Sequence, residues 1–300
     1  MSSAQISERE LLGRSLRMLN EVERAAAFGA HLRNLTEPIA VPAEVAETVQ
    51  ALAEEVVPGV SDMPAESLQT VKAGMIAFFR QALDLLEQPD RPPGWRLDDP
   101  LVLQAQGRTS AMVPGILAKA AANLGDLAER LDAGGDFCDV GTGVGWLAIA
   151  AAQQWPNARV VGIDIEPYVL ELAAKNLAAT NLTGRIALRQ LDARDLSDDH
   201  FDLVWLPGPF LPREVVSGAL AAARNTLASG GWAIVGIYGG RSEPAAKLLD
   251  ELRTVRAGAH RWSTEELVAA FTDAGYEQVQ VIPREWEAPL QLIAGRQRDD

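Results

Sequence analysis

Asp136-Phe-Cys-Asp-Val-Gly-Thr-Gly-Val-Gly145 is the stretch of the sequence on which the expected fold depends. Its short apolar run ends in three glycines at alternate positions, and a segment with helical spacing follows over residues 146–154. Glycine is needed where the backbone adopts φ > 0 or where a ligand approaches closely, and a helix N-terminus presents unpaired N–H groups. The pattern predicts a strand, a tight turn and a helix start that together bind an anionic group.

The spacing of these glycines separates two classes of ligand. A dinucleotide fingerprint, Gly-x-Gly-x-x-Gly, has its third glycine where this chain has Trp146. With the preceding aspartate, the motif is Asp-x-Gly-x-Gly-x-Gly, and it resembles the first motif of the class I S-adenosylmethionine-dependent methyltransferases. The resemblance extends over about residues 104–295, and it implies that S-adenosylmethionine binds at Asp139, Gly141, Thr142, Gly143 and Gly145.

Segments typical of strands and of helices alternate after residue 136, and this order predicts an α/β fold. We expect a doubly wound, mostly parallel sheet of seven strands with helices on both faces, as in Rossmann-like methyltransferases. The ligand of such a sheet lies at the carboxyl ends of the strands, where the strand order reverses. The predicted strands cover residues 137–140, 160–164, 186–190, 201–206, 232–238, 279–283 and 289–294.

Two further strand ends carry residues that suit the rest of the cofactor. The second strand ends in Asp164, whose carboxylate can accept hydrogen bonds from both ribose hydroxyls. The other interpretation is that Asp164 caps the helix that begins near Pro167, but the glycine motif in front of it favours the ribose. The resemblance also implies that Asp192 and Ala193 hold the adenine amino group and ring edge, and that Ile165 packs on the adenine face.

The loop after the fourth strand is expected to face the transferred methyl group. It reads Pro207-Gly208-Pro209-Phe210, whereas the resembling enzymes that methylate exocyclic amines of bases have Asn or Asp before Pro-Pro-Tyr/Phe. The loop therefore indicates a rigid, apolar substrate pocket, and Tyr238 at the end of the fifth strand is expected to border it. Because the loop lacks this amine-type signature, we expect O-methylation of a small molecule, with N-, C- or S-methylation as alternatives.

A general base is required only when the acceptor must lose a proton. His260 is the candidate, because it precedes a helix that begins with a Ser263-x-x-Glu266 capping box on the ligand side of the sheet. A solvated loop histidine is the other interpretation, and an acceptor that arrives ionised needs no base. His200 precedes the fourth strand, at the opposite end of the sheet.

Apolar residues recur at helical spacing in the first third of the chain, which matches no family that we can name. A Ser7-x-x-Glu10 capping pattern opens the first helix, and a broad apolar stripe over residues 68–86 predicts another. We expect residues 1–100 to form a helical cap that serves dimerisation and the substrate side. Residues 101–300 are expected to form the S-adenosylmethionine-binding methyltransferase domain.

Two residues ahead of the sheet have alternative roles. Trp95 lies in a proline-rich linker over residues 88–100, where it either anchors the linker by packing or closes a substrate pocket. Arg108 lies in the polar stretch 104–110, which precedes a helix with proline in its first turn. It either binds a carboxylate of the cofactor or is an ordinary solvated arginine.

Charge and composition exclude several classes of partner. The formal net charge of −14 opposes binding to a phosphate backbone, so nucleic acid is not an expected substrate. The chain has no apolar run of about eighteen residues and no signal-peptide core, which predicts a cytoplasmic protein without a membrane partner. We expect a small-molecule acceptor, an assembly that is a monomer or a homodimer, and no metal.

Two alternatives to methyl transfer remain open from the sequence. The first is an NAD-dependent oxidoreductase, which the tryptophan in place of the third fingerprint glycine opposes. The second is a protein that binds S-adenosylmethionine without methylating anything, which the lack of an obvious base suggests. Measured binding of S-adenosylmethionine and of NAD separates a methyltransferase from the first alternative. Detection of a methylated product separates it from the second.

Overall fold

The computed structural model describes residues 7–37, 39–95, 99–197 and 200–298. Two compact units divide the chain, Met1–Leu85 and Leu86–Asp300. The division lies ahead of the linker at 88–100, so that the linker is part of the second unit. The N-terminal residues 1–6 and the linker residues 96–98 lie outside the described part of the chain.

Three helices form the first unit: α1 (Glu8–Thr36), α2 (Ala43–Val56) and α3 (Ala65–Glu87), with a short 3-10 turn at Val60–Asp62. The Ser7 hydroxyl caps α1 by accepting a hydrogen bond from the Glu10 N–H at 3.3 Å. The buried His31 ring lies 3.0 Å from the Ser61 hydroxyl, and this contact ties α1 to the turn. A small core fills the unit, with Phe28, Leu32, Ala53, Val60 and Leu68.

The first half of α1 exposes a broad apolar face. Six large apolar side chains between positions 11 and 22 are each more than half exposed: Leu11, Leu12, Leu16, Met18, Leu19 and Val22. The stripe predicted on α3 is buried at one end only, since Leu68, Val71 and Met75 join the core whereas Phe78 and Leu86 are exposed. Among the described residues, no helix is both long and apolar enough to cross a membrane.

A seven-stranded sheet forms the centre of the second unit, in the order β3-β2-β1-β4-β5-β7-β6. β7 runs antiparallel to β5 and to β6, and the other neighbours are parallel. This arrangement confirms the predicted fold, and it places the reversal of strand order between β1 and β4. The strands are β1 (Asp136–Val140), β2 (Arg159–Asp164), β3 (Ile186–Gln190), β4 (Phe201–Pro207), β5 (Leu227–Tyr238), β6 (Glu277–Val281) and β7 (Leu290–Arg296).

Helices cover both faces of this sheet, and each face has its own apolar core. Alternation along β4 sends Leu203 and Trp205 to one core and Val204 and Leu206 to the other. The helices of this unit are α4 (Pro100–Ser110), α5 (Val113–Ala121), α6 (Leu127–Ala133), α7 (Trp146–Gln154), α8 (Pro167–Ala178), α9 (Arg213–Thr226), α10 (Pro244–Arg256) and α11 (Thr264–Asp273). The first core contains residues of α5, α6 and α7, and the second contains residues of α9 and α11.

The polar stretch 104–110 is itself helical, as the second half of α4. The Asp99 carboxylate starts this helix by accepting hydrogen bonds from the N–H groups of Leu101 and Val102 at 3.0 and 3.2 Å. Pro100 occupies the first helical position, where its missing N–H costs nothing. An aspartate followed by proline is a strong helix start, and it fixes where α4 begins.

Candidate active site

The three glycines after β1 all have left-handed backbone conformations, with φ of 65° at Gly141, 54° at Gly143 and 80° at Gly145. Gly145 also packs closely, since an added Cβ would lie 3.1 Å from the Cβ of Ala173 in α8. At Gly143, in contrast, an added Cβ would meet nothing closer than the Gly141 carbonyl oxygen at 4.0 Å. The protein therefore leaves open space beside Gly143, as a turn that receives a ligand requires.

Asp139 supports this turn from inside the fold. Its carboxylate is 1 % exposed and accepts a hydrogen bond from the Thr142 hydroxyl at 2.7 Å. Burial, together with the nearby Asp164 charge, raises the pKa of Asp139 to about 7. The Thr142 N–H in turn donates to the Ile163 carbonyl oxygen at 2.9 Å, which joins the turn to β2. Asp139 and Thr142 thus fix the shape of the glycine turn.

Asp164 connects the glycine turn to the start of α8. One carboxylate oxygen accepts a hydrogen bond from the Gly143 N–H at 2.9 Å, and the other accepts one from the Glu166 N–H at 3.0 Å. Burial raises the pKa of this carboxyl group, although these backbone hydrogen bonds oppose the shift. Because a carboxylate has about four acceptor positions, each oxygen keeps one for a further donor, and two neighbouring hydroxyls fit this arrangement.

The end of β3 differs from the expectation in one respect. The Asp192 carboxylate already accepts from the Arg194 N–H at 2.9 Å, and the Arg194 guanidinium binds both its oxygens at 3.0 and 2.6 Å. This arginine, two residues further on, was not considered as a partner from the sequence. Ala193 is buried, while the large apolar side chain of Ile165 is 57 % exposed beside Asp164. An exposed isoleucine at this position provides an apolar surface for a flat ring.

Helix α4 packs directly on the glycine turn. A Cβ at Gly107 would clash with Val144 Cγ2 and would lie 2.9 Å from the Trp146 ring, so only glycine permits this contact. The Trp146 indole N–H donates to the Gln104 side-chain oxygen at 2.7 Å. Asn176 of α8 donates to the same oxygen and to the Val144 carbonyl oxygen, at 3.0 and 2.8 Å. These bonds hold α4, the turn and α8 together.

Arg108 is positioned by this packing. Its guanidinium carbon lies 4.0 Å from the centre of the Trp146 ring, which is a cation–π contact. Partial burial lowers the pKa of Arg108 from its ordinary value. Within the described ranges, no carboxylate forms an ion pair with this arginine, so its hydrogen-bond donors beside the turn are available for an anionic group.

The loop after β4 borders the glycine turn on its other side. A Cβ at Gly141 would lie 3.6 Å from Pro207, and a Cβ at Gly208 would lie 2.7 Å from the Gly236 carbonyl oxygen. The loop is thus pressed between β1 and β5, and residues Gly208–Phe210 form a 3-10 turn. Pro209 is buried within this turn. The loop presents no ionisable side chain between Pro207 and Pro212.

Three aromatic rings meet beside this loop, and we call Trp95, Phe210 and Tyr238 the aromatic wall. The rings of Trp95 and Phe210 lie 5.2 Å apart between centres at 59°, and those of Phe210 and Tyr238 lie 6.4 Å apart at 85°. Trp95 therefore packs against a residue of the predicted substrate pocket. Its place in the linker gave no distance from the sheet, so the sequence left its role open.

His260 lies close to the segment after β4. Its backbone N–H donates to the Leu211 carbonyl oxygen at 3.5 Å, and its ring packs against Trp262 with 4.8 Å between centres. The ring Nε2 lies 3.2 Å from the Arg213 guanidinium and 3.4 Å from the Glu266 carboxylate. The structure thus gives His260 a carboxylate partner, together with a competing cation, and its role as a base stays a prediction.

A family model described as a methyltransferase domain matches residues 137–231. The tRNA1(Val) (adenine(37)-N6)-methyltransferase of Porphyromonas gingivalis is 40 % identical over 78 residues, which cover 24 % of this chain and 31 % of that protein. The malonyl-[acyl-carrier protein] O-methyltransferase of Geobacter sulfurreducens is 31 % identical over 150 residues, covering 48 % and 56 %. The chain thus spans from about a third to just over half the length of these curated relatives.

The crystal structure of human N-acetylserotonin methyltransferase in complex with S-adenosylmethionine has the same fold. It matches 99 % of this chain and 100 % of its own with a TM-score of 0.65 at 14 % identity. The sheet order and the glycine turn at its switch point define an α/β protein of the Rossmann-like type. The family match goes further: residues 137–231 match a methyltransferase domain, of the kind found in the class I, S-adenosylmethionine-dependent methyltransferases.

Proposed function

We propose that this protein transfers a methyl group from S-adenosylmethionine to a small-molecule acceptor, with oxygen as the favoured acceptor atom. The observation that carries the proposal is the position of Asp164. Its two oxygens bind the N–H groups of Gly143 and Glu166 and retain acceptor positions beside the open space at the glycine turn. A ribose with two free hydroxyls fits this arrangement, since each hydroxyl donates to one oxygen.

The remaining groups suit the other parts of S-adenosylmethionine. Ile165 offers an exposed apolar surface next to Asp164 for the adenine ring, and Asp192 retains acceptor capacity for the exocyclic amine. Arg108, whose guanidinium stacks on Trp146 next to the turn, supplies the donors for the carboxylate of the cofactor. When bound, the cofactor supplies an electrophilic methyl group on a sulfonium sulfur. The protein aligns this group with the acceptor, and such positioning lowers the barrier without a covalent intermediate.

Two features support a small acceptor and an oxygen nucleophile. The loop Pro207–Phe210 lacks the acid or amide that would accept hydrogens from an amine, and its apolar side chains exclude water from the methyl group. The relative that acts on tRNA is similar over only 24 % of this chain, and the net charge of −14 opposes a nucleic-acid substrate. The relative that is an O-methyltransferase is similar over 48 % of this chain, which is twice as much.

Proton removal has two candidate routes. Tyr238 is not a base at neutral pH, because burial raises the pKa of its phenol above the ordinary value. His260, with Glu266 as its carboxylate partner, can take a proton if the acceptor reaches the loop after β4. An acceptor that arrives as an anion needs neither group.

Calorimetric titration tests the cofactor assignment directly. The protein should bind S-adenosylhomocysteine and S-adenosylmethionine and should not bind NAD, because Trp146 occupies the position of the third fingerprint glycine. The matched variant Asp164→Ala should bind both S-adenosyl ligands more weakly, while circular dichroism shows an unchanged fold. Binding of NAD in preference to S-adenosylhomocysteine would exclude the proposal.

We also propose that the chain forms a homodimer through α1. Leu12, Leu19 and Ala26 recur every seven residues, with Ser15 and Val22 between them, and this spacing suits pairing with a second copy of the same helix. The double variant Leu12→Ser, Leu19→Ser should shift the mass measured by light scattering from dimer to monomer. Leu248→Ser on α10, which is also exposed, should leave the mass unchanged. A monomeric parent protein excludes this proposal.

A further inference from the structure

The ends of β2 and β3 lie side by side at the edge of the sheet that carries the glycine turn. Their pairing places Asp164 opposite Gln190. The Leu191 N–H donates to the Asp164 carbonyl oxygen at 3.0 Å, which extends the pairing one residue past the end of β3. Asp192 is the next residue along the chain. An adenine attached to a ribose at Asp164 is therefore directed toward Asp192.

Arg194 takes up most of the acceptor capacity of the Asp192 carboxylate. Oδ1 accepts hydrogen bonds from the Arg194 backbone N–H and from its Nε–H, at 2.9 and 3.0 Å, and Oδ2 accepts one from Nη2 at 2.6 Å. Each oxygen of a carboxylate has about two acceptor positions. Oδ1 is therefore filled, and among the described residues Oδ2 keeps one position, which fits one N–H of an exocyclic amine.

Helix α9 accommodates the side chain of Arg194. A Cβ at Gly218 would lie 2.8 Å from Arg194 Cγ and 3.1 Å from Cδ, so the stem of the arginine lies where only glycine leaves room for it. Glycine destabilises the interior of a helix, and this packing gives a physical reason for glycine at position 218. The stem of Arg194 is thus fixed by α9, while its planar guanidinium holds Asp192.

This ion pair acts on the carboxylate more than on the stability of the fold. The side chains of Arg194 and Asp192 are 49 % and 25 % exposed, and exposed ion pairs contribute little to folding. The two parallel hydrogen bonds nevertheless fix the plane of the carboxylate, since such a pairing is geometrically specific. The guanidinium also holds the pKa of Asp192 below its ordinary value, so that the carboxylate stays an acceptor.

We propose that Arg194 is a positioning residue for the base of the cofactor: it fixes the Asp192 carboxylate so that one oxygen alone accepts the exocyclic amine of adenine. This inference rests on the proposed function and deepens it. Without Arg194, the carboxylate rotates and both its oxygens open to water, so the amine meets an acceptor that is no longer directed toward it.

Two ligands separate binding of the cofactor from recognition of its base. Calorimetric titration of the parent with S-adenosylhomocysteine comes first, and failure to bind it rejects the proposed function itself. The second ligand is the purine analogue of S-adenosylhomocysteine, in which hydrogen replaces the exocyclic amine. We define the base selectivity as the Kd of this analogue divided by the Kd of S-adenosylhomocysteine. It should be about tenfold or more in the parent, because the analogue leaves the last acceptor position of Asp192 unused.

Arg194→Met should lower the base selectivity to about threefold or less, chiefly because S-adenosylhomocysteine binds more weakly. Arg159→Met is the matched control. Arg159 donates two hydrogen bonds to the Asp136 carboxylate in the same manner, at 2.7 and 2.6 Å, but at the opposite edge of the sheet. This variant should keep the base selectivity of the parent.

Gly218→Ala reaches the same arginine from α9 without altering its chemistry. The added Cβ displaces the stem of Arg194, so the base selectivity should fall as it does in Arg194→Met. Gly115→Ala in α5 is the control, since a Cβ there meets no atom within 4 Å. Circular dichroism checks the fold of each variant, and Gly218→Ala carries the test alone if Arg194→Met does not fold.

A double-variant cycle distinguishes positioning from direct contact with the base. In an Asp192→Ala background, Arg194→Met should have no further effect on the base selectivity, because it acts through that carboxylate. The inference is overturned if the parent binds S-adenosylhomocysteine without base selectivity, or if Arg194→Met changes the selectivity no more than Arg159→Met does. An equal effect of Arg194→Met with and without Asp192 would also overturn it.

Discussion

The carboxylate of Asp164 accepts a hydrogen bond from the backbone N–H of Gly143 at 2.9 Å, although the two residues belong to different strand ends. This bond joins the glycine turn after β1 to the end of β2. The same residue that is proposed to bind the ribose therefore also holds the turn that faces the rest of the cofactor. A substitution at Asp164 acts on both.

Asp164→Ala should weaken S-adenosylhomocysteine binding by about 1.5 to 3 kcal/mol, because two buried hydroxyls lose their charged acceptor. Asp164→Asn keeps one carbonyl oxygen for a backbone N–H and should lose less. Calorimetry gives the affinities, and circular dichroism checks the fold. Unchanged affinity in a folded Asp164→Ala protein would show that the ribose lies elsewhere.

Gly143→Val should abolish binding of S-adenosylhomocysteine. A β-branched residue resists φ of 54° and fills the open space beside the turn. Gly184→Val is the control, since a Cβ there meets no atom within 4 Å and its φ is not in the left-handed region. Thermal melting of both variants separates strain from lost binding. A Gly143→Val protein that binds like its parent would make the turn purely structural.

Arg108→Ala should lower the affinity for S-adenosylhomocysteine about tenfold, because a charge-assisted hydrogen bond to the ligand's carboxylate is lost. 5′-Methylthioadenosine, which lacks that carboxylate, should bind the variant and the parent equally. Both affinities are measured by calorimetry. An equal loss for the two ligands would mean that Arg108 acts through its packing on Trp146 instead.

The buried Asp139 should make stability depend on pH. Its folded-state pKa of about 7 lies above the ordinary value of 3.8, so the native state binds this proton more tightly than the unfolded chain. Its contribution to stability is complete below the ordinary value and is lost as the pH rises to about 7. The melting temperature of Asp139→Asn minus that of the parent should therefore increase as the pH rises from 3.8 to about 7, and it should stay constant at higher pH. A constant difference would contradict the burial of an ionisable group here.

His260→Ala should keep nearly full activity and an unchanged pH profile if the acceptor arrives ionised, since positioning alone then supplies the acceleration. Single-turnover rates across pH, for the variant and the parent, give the comparison. A loss of about 10²-fold or more in the single-turnover rate would instead identify His260 as the base, provided that the parent's rate rises with pH and the variant's does not. Such a result would contradict an anionic acceptor.

The sequence was sufficient for the fold because its signals are local and periodic. The glycine turn, the alternation of segments and Asp164 at a strand end all depend on residues close together in the chain. The partners of Asp192 and His260 were not foreseen. Arg194 is close to Asp192 in the sequence, but the sequence does not predict the direction of its side chain. Arg213 approaches His260 only because α9 packs beside α11.

The aromatic wall shows the same limit more clearly. Trp95 and Phe210 are separated by the whole first half of the sheet, and only tertiary structure brings their rings to 5.2 Å. Helical spacing predicted α1 and its apolar residues, yet the exposure of that face depends on what packs against it.

Methyl transfer itself is tested most directly by mass spectrometry of a small-molecule extract incubated with the protein and S-adenosylmethionine that carries a deuterated methyl group. The account predicts a labelled small-molecule product that forms in step with S-adenosylhomocysteine and is absent with Gly143→Val. Binding of S-adenosylmethionine without any labelled product, across extracts of varied origin, would contradict the account and would identify a protein that only holds the cofactor.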